Sequence, residues 1–392
     1  MNRIALRLQP LLLCLLALAS SGVPAQQRKR LSSFPEGLAT IDHLLLHFDP
    51  DSAEGWLPAC RDLVLSLPRE VRITIAVHGP VEREQLKRIL AAQGIKRPEI
   101  VIVGRLITPW ARDRMIAVGN GSLVDLLTPR ADRVGPDYTG DLATASTLAD
   151  RHGCRAVPVA LEFEGGDIVC GGKHTFIGWD TIRSNSETAS ADEAIRAFQR
   201  LLCSEVVVVG RPVPPHIHVD MYLTMFDQNT VMLGDPIAGG DLLEKCQQQT
   251  PLVALPSFDT WTIAAQQVVA PQYEEVWREL RQRGLRVLRV PILHGEQGGV
   301  LTWNNALVER RGAERRVYLP AYGVPLLDDE AARAFREAGS RVFAIDVSGI
   351  APDGGTVRCI TNVLAWSSPS QPKPVRSLVV APPVRVNVNE TH

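Results

Sequence analysis

The sequence is poor in the features that betray a function quickly. Its 42 lysines and arginines stand against 43 aspartates and glutamates, a formal charge of −1. That leaves neither the basic footprint of a nucleic-acid binder nor an acidic tail. Seven cysteines are scattered with no CxxC pair, which argues against a zinc site and against a dense disulfide framework. The apolar run LLLCLLALA (11–19) is too short to span a bilayer, and no other run is long enough for a transmembrane helix. What remains, 45% hydrophobic and 22% charged residues over 392 positions, is the composition of a soluble globular protein with a sizeable core, in one large domain or two ordinary ones.

The N-terminus carries an address. Arg3 and Arg7 precede the apolar run, and small residues and VPA (23–25) follow it, the layout of a signal peptide over 1–25 cleaved near Ala25. No cysteine stands at the cut, so no lipid anchor is expected, and the mature protein is expected to be secreted or periplasmic with no stable membrane anchor. Cys14 would leave with the signal. Cys60, Cys154, Cys170, Cys203, Cys246 and Cys359 would remain, an even number for which some disulfide pairing is expected in an exported protein. Residues 26–40 read as a lead-in, 41–368 as a single domain, and the proline-bearing 369–392 as an extended tail.

Inside the domain one order recurs. VIVGRLITPWARD (101–113) and VVVGRPVPPHIHVD (207–220) both run from a β-branched strand through Gly-Arg and a proline-bearing loop to an aspartate. Helical patterns precede both, over 81–93 and 190–203, the second opening on a Ser190/Glu193 capping box. Three more helices, at 141–152, 272–283 and 329–338, end at Gly153, Gly284 and Gly339 and feed strands. Hairpin-like strands lie between, as in 221–235 and 298–320. Five units of about 60 residues imply a ring or array. The fold expected is an α/β ring of five ββαβ-type units with loops converging on a common centre.

The strand exits hold Arg112, Asp113, Glu164, Asp167, His216, His218, Asp220, His294, Glu296, Asp353 and Cys359. Each alone has an ordinary structural reading. An aspartate after a strand caps a turn, and the glycines of EGGD and of DGGTVRCITN (353–362) serve backbone geometry. His216, His218 and Asp220 lack matching outside ligands, so no metal site is expected. Cys359 by itself reads equally as a buried thiol, half of a disulfide or a nucleophile.

Taken together, WARD (110–113), EGGD (164–167), HVD (218–220) and GGTVRCITN (354–362) resemble the motifs of the guanidine-modifying superfamily, which includes agmatine, arginine and peptidylarginine deiminases and amidinotransferases. TWNNALV (302–308) and YLPAYG (318–323) resemble the stretch that agmatine deiminase-type proteins carry before their cysteine. The resemblance covers roughly 100–366 and implies a five-bladed α/β propeller with pseudo-fivefold symmetry (the pentein fold). Two positions depart from the familiar pattern. Arg114 and Met115 follow Asp113 where Thr-Gly-Pro is usual, and Arg358 stands where a histidine commonly precedes the cysteine.

What the resemblance implies is a deiminase. Asp113 and Asp220 would grip a guanidinium through charge-assisted hydrogen bonds. Cys359 would attack it, His218 would serve as general acid and base, and Glu164 would orient His218. Asp167 would bind substrate or brace its loop, and Asn305 would hydrogen-bond the substrate or a neighbouring backbone. Arg112, Arg114 and Arg358 would meet the carboxylate or carbonyls of an arginine, and Glu296 the amine of agmatine. No cofactor is required. Export favours arginine within peptides as the substrate, with a small guanidine such as agmatine beside it. An amidinotransferase on the same scaffold and a non-catalytic ligand-binding propeller are the alternatives, and oligomeric state is left open.

Overall fold

A computed structural model describes residues 32–119, 124–186, 190–211, 215, 217–248 and 255–368. Residues 1–25, expected to be a signal peptide, the tail from 369 and His216 lie outside the described residues. In the first unit, β2 (Thr40–Phe48) is followed by α1 (Ala53–Ser66), β3 (Arg72–Val77), α2 (Pro80–Ala92) and β4 (Glu99–Ile102). The second unit runs β5 (Ile116–Gly119), β6 (Val124–Thr128), α3 (Thr139–His152) and β7 (Arg155–Pro158); β1 (Ser32–Ser33) pairs onto β5 from the N-terminus. The third runs β8 (Ile168–Cys170), β9 (His174–Gly178), α4 (Trp179–Asn185), α5 (Ala191–Leu202) and β10 (Glu205–Val209). The fourth runs β11 (Leu223–Met225), β12 (Thr230–Asp235), α6 (Pro236–Gln248), α7 (Ile263–Gln282), β13 (Arg286–His294) and β14 (Val300–Thr302). The fifth runs β15 (Leu307–Arg311), β16 (Glu314–Ala321), α8 (Pro325–Glu337) and β17 (Ser340–Asp346), and β18 (Thr361–Ser367) returns to β2.

These strands form five sheets that repeat one pairing scheme. In each an antiparallel pair (β18–β2, β5–β6, β8–β9, β11–β12, β15–β16) is followed, after a helical crossover, by a parallel partner (β3, β7, β10, β13, β17). A parallel pair requires such a crossover, and a helix is the usual solution. Helices cover the sheets, so the strands read as continuous apolar runs; Leu44, Leu45 and Leu46 of β2 are all fully buried.

The sequence-level repeat has a structural counterpart. VIVGR and VVVGR lie at β4 and β10, each the last strand of its sheet, and each ends in a glycine of positive φ, Gly104 at +79° and Gly210 at +82°. The capping box at Ser190 and Glu193 is present, and Gly153, Gly284 and Gly339 have left-handed φ after their helices. Cys203, at φ +51°, occupies that position after α5.

α1, α4 and α6 escaped the sequence reading and α7 was cut short, and for α1, α6 and α7 the reason is local. α1 contains Gly55 and Pro58, α6 contains Gly239 and Gly240, and α7 runs through Pro271, which reads as a start in sequence. Residues of this kind are helix breakers on propensity alone, and tertiary packing overrides them. A Cβ on Gly239 would fall well inside contact distance of the Ile292 carbonyl oxygen in β13; glycine lets α6 lie close to its sheet. The six cysteines after residue 31 are all free, so the expected disulfide pairing is not found.

Gly239 and Gly240 therefore make a paired test. Gly239→Ala should lower the melting temperature despite the better helix propensity of alanine, at a cost of about 1–3 kcal/mol from overpacking. Gly240→Ala, whose Cβ would meet only the Gln266 side chain at 3.5 Å, should be neutral or stabilising. Equal effects of the two in thermal denaturation would contradict this packing.

Candidate functional site

Each sheet offers the loop that leads into its first antiparallel strand. Asp113 precedes β5, Glu164 to Asp167 precede β8, His218 to Asp220 precede β11, Asn305 precedes β15 and Cys359 precedes β18. Five separate loops thus converge through one repeated topology. Three of these loops line a cavity of about 690 Å³ whose walls include Cys359, His218, Asp167, Met221 and Tyr222.

Cys359 is 6% exposed, and its loop is shaped by the glycines before it. Gly354 has φ +91°, in the left-handed region that glycine favours. A Cβ on Gly355 would collide with Trp110. Asn305, fully buried, holds the loop from below: its Oδ1 accepts from Thr356 Oγ1 at 2.8 Å, from the Arg358 N–H at 2.8 Å and from the Cys359 N–H at 3.3 Å. Burial first, then the nearby charges of Asp220 and Asp113, push the Cys359 thiol well above its usual range.

His218 sits against Gly166, where a Cβ would clash with its ring. Its Nε2 lies 2.6 Å from Glu164 Oε2, and Arg114 Nη1 lies 2.6 Å from the other oxygen of the same carboxylate. Burial opposes charge on the imidazole. The hydrogen bond to Glu164 and the fields of Asp113, Asp167 and Asp220 outweigh it and push His218 up to about 10, while its own hydrogen bond holds Glu164 down at about 2. At neutral pH the pair is an imidazolium and a carboxylate.

Asp113 and Asp220 lie behind the cavity wall. Each keeps a buried oxygen, Oδ1, that makes no hydrogen bond among the described residues. Burial, reinforced by Glu164 and Asp220 against the cationic His218 and Arg114, pushes Asp113 up to about 7. Asp220, fully buried, accepts from Arg358 Nε at 3.2 Å through Oδ2. Asp167 lines the cavity and braces its loop, accepting from Thr181 Oγ1 at 2.7 Å and from the Val219 N–H at 3.3 Å.

The structure moves several sequence-derived candidates away from a substrate. Arg112 Nε and Nη2 donate to the carbonyls of Gly165 and Ile168 at 3.0 and 2.7 Å, clamping the EGGD turn. Arg358 is 3% exposed and forms ion pairs with Asp220 and Glu36. Arg114, besides Glu164, stacks over Tyr138 at 4.5 Å. Asn305 serves the Cys359 loop. His294 is a core histidine bonded to the Tyr273 hydroxyl at 2.7 Å, and Glu296 accepts from Thr262 at the surface. Sequence reasoning missed two contributors. Glu36 carries no motif, and Asn362, within the quoted motif, ties the cysteine strand to the WARD loop through the carbonyls of Ala111 and Met115.

The Asp113 shift sets a sign for stability. A folded value above the unfolded one near 4 means that the folded state binds the proton more tightly, so its contribution is full at low pH and is lost as pH rises towards and past 7. Asp113→Asn should therefore gain on the wild type by on the order of 2 kcal/mol between pH 5 and pH 8, read by urea melts. A gap that does not change with pH would contradict the buried, proton-seeking carboxyl.

Comparison with known proteins places the fold. No family model and no curated protein matches the sequence. The agmatine deiminase of C. jejuni superposes with a TM-score of 0.62 at 16% identity, over 85% of this chain and 95% of that one. A structure provisionally designated an agmatine deiminase gives a TM-score of 0.65 at 14% identity, over 86% and 96%. Another, provisionally designated a peptidyl-arginine deiminase, gives 0.60 at 14%, over 85% and 98%. The chain is an α/β protein with the fold of the agmatine deiminases.

Proposed function

We propose that this protein is a deiminase: a hydrolase that converts a guanidino group to a ureido group and ammonia through a covalent adduct on Cys359. The observation that carries the reading is one cavity walled by a cysteine and a histidine, with the histidine locked to Glu164 and two buried carboxylates behind it. In the empty site burial, reinforced by the charges of Asp220 and Asp113, keeps the cysteine a thiol. A guanidinium accepted by Asp113 and Asp220 brings the opposite charge beside it, favours loss of the thiol proton to solvent, and presents a planar carbon for attack. The thiolate forms the C–S bond. His218, already protonated, donates its proton to the departing ammonia and is left neutral. It then takes a proton from water as that oxygen attacks the adduct, and the C–S bond breaks to give the ureido product. Atoms balance as guanidinium plus water giving urea derivative plus ammonium.

The cavity itself bears on the substrate. Asp180, Asp259 and Asp353 line it, and no lysine or arginine does among the described residues. With Arg112, Arg114 and Arg358 engaged elsewhere, none of these three arginines waits in the cavity for a carboxylate. The reading therefore moves from arginine in peptides to a small guanidine with a positively charged tail, such as agmatine. Asp259 is already held by the Gln297 and Gly299 N–H groups. Burial and then Asp49 raise Asp353, so an ammonium placed beside it would favour its charged form.

The scaffold proposed is a closed five-bladed propeller with pseudo-fivefold symmetry. Its support is the repeated pairing scheme and the contacts between successive sheets: β18 with β5, β8 with β11, α8 with β13, and β15 with β2. Export is likewise proposed from residues 1–25, and the mass of the protein recovered outside the cytosol reads it.

Ammonia and ureido product should appear from agmatine faster than from free arginine or an arginine peptide, and Cys359→Ser should abolish both. Asp353→Asn should lower kcat/KM for agmatine about 2–5-fold, as for an exposed ion pair, and leave a tail-less alkylguanidine unchanged. Turnover surviving Cys359→Ser would end the nucleophile assignment, and faster turnover of the peptide would end the tail assignment.

A further inference from the structure

Residues 32–39 touch strands of three sheets and the segments that flank β11 and β18 of the other two. Ser33 pairs with Val118 of β5, and its hydroxyl donates to Cys170 Sγ in β8 at 2.5 Å. The Glu36 N–H donates to the Cys170 carbonyl at 2.9 Å and the Gly37 N–H to the Val308 carbonyl of β15 at 3.0 Å. Gly37, at φ +68°, passes so close to the Phe226 carbonyl, just after β11, that a Cβ there would clash. Glu36 reaches Arg358, just before β18. The segment therefore crosses the place where the five inner strands gather, and it carries one acid into it.

That acid completes a buried triad. Glu36 is 2% exposed, Arg358 3% and Asp220 0%. Arg358 stands between the two carboxylates and takes Asp220 by Oδ2, leaving Oδ1 without a partner. We propose that Glu36 is a positioning residue for this site: it holds Arg358 against Asp220, so that the carboxylate is fixed with one oxygen turned over to a planar cation. This rests on the reading of Asp220 as a guanidinium acceptor. One guanidinium between two carboxylates also leaves the triad with net charge −1. Making Glu36 neutral would erase that charge, whereas removing the Glu36 charge and Arg358 together would restore it without the anchoring.

The test uses alkylation of Cys359 in the full chain by chloroacetamidine, a planar cation, and by iodoacetamide, which is neutral, and takes the ratio of their rate constants. A general loss of structure would move both rates together. E36Q should lower the ratio about 10-fold, the equivalent of one pKa unit. The double variant E36Q/R358M should stay at least about 5-fold low, because charge is restored and position is not. A ratio within about 2-fold of wild type in E36Q, or a return to the wild-type ratio in the double variant, would overturn the proposal. Should E36Q fail to fold, E36D keeps the charge and shortens the arm; it should lower the ratio about 3-fold, and an unchanged ratio would count against positioning. No turnover enters these measurements. A wild-type protein with no preference for the cationic reagent would sink the deiminase reading, whereas a wild-type preference that E36Q leaves intact would sink this inference alone.

Discussion

The site depends on negative charge gathered where water is scarce. Glu164, Asp113, Asp167 and Asp220 all bear on His218, and burial together with Asp220 and Asp113 bears on Cys359. The imidazole answers by holding its proton, and the thiol by holding its own. Neither is the state in which a free nucleophile waits. On the proposed reading this cavity receives a cation, and its chemistry follows from which groups change protonation when that cation binds. Arg114 and Arg358 temper the charge without cancelling it, each joined to one of the carboxylates.

The fold supplies the gathering. Five sheets share one pairing scheme, and the loops into their first antiparallel strands are tied to one another: the Arg112 N–H to the Cys359 carbonyl, the Gly165 N–H to the Asp113 carbonyl, His218 to Glu164, and the Cys359 N–H to Asn305. β18 returns from the C-terminal end to pair with β2 and brings Cys359 with it. The N-terminal strand β1 and Glu36 enter the same centre from the other end of the chain. Glycines set the close approaches: Gly166 under His218, Gly355 beside Trp110 and Gly37 under Phe226.

Much of this was legible in the sequence, because short-range chemistry leaves short-range marks. The Ser190/Glu193 cap, the glycines after helices, the paired Gly-Arg strand ends and the motifs around Asp113, Glu164, His218 and Cys359 are all local patterns. α1 and α6 were not legible, since Gly55, Pro58, Gly239 and Gly240 argue against helix on propensity, and only the neighbouring sheet explains them. The arginines were legible as residues and misread as roles. Arg358 is spent on Glu36, a partner at the opposite end of the chain with no motif around it, and Arg112 on two carbonyls that appear only when the EGGD turn folds. Asn305 stood between two readings in the sequence, and its three accepted hydrogen bonds decide for the backbone and its neighbours.

The central claim is that the empty site holds Cys359 as a thiol and that a bound guanidinium releases its proton. The direct measurement is the pH dependence of Cys359 alkylation by a neutral reagent, alone and with a saturating guanidinium ligand that leaves the thiol accessible. The account predicts an apparent pKa above the ordinary thiol value near 8.5 in the free protein, moving down by about one unit or more with the ligand bound. A free-protein value near neutrality, or one that the cation leaves in place, would contradict it.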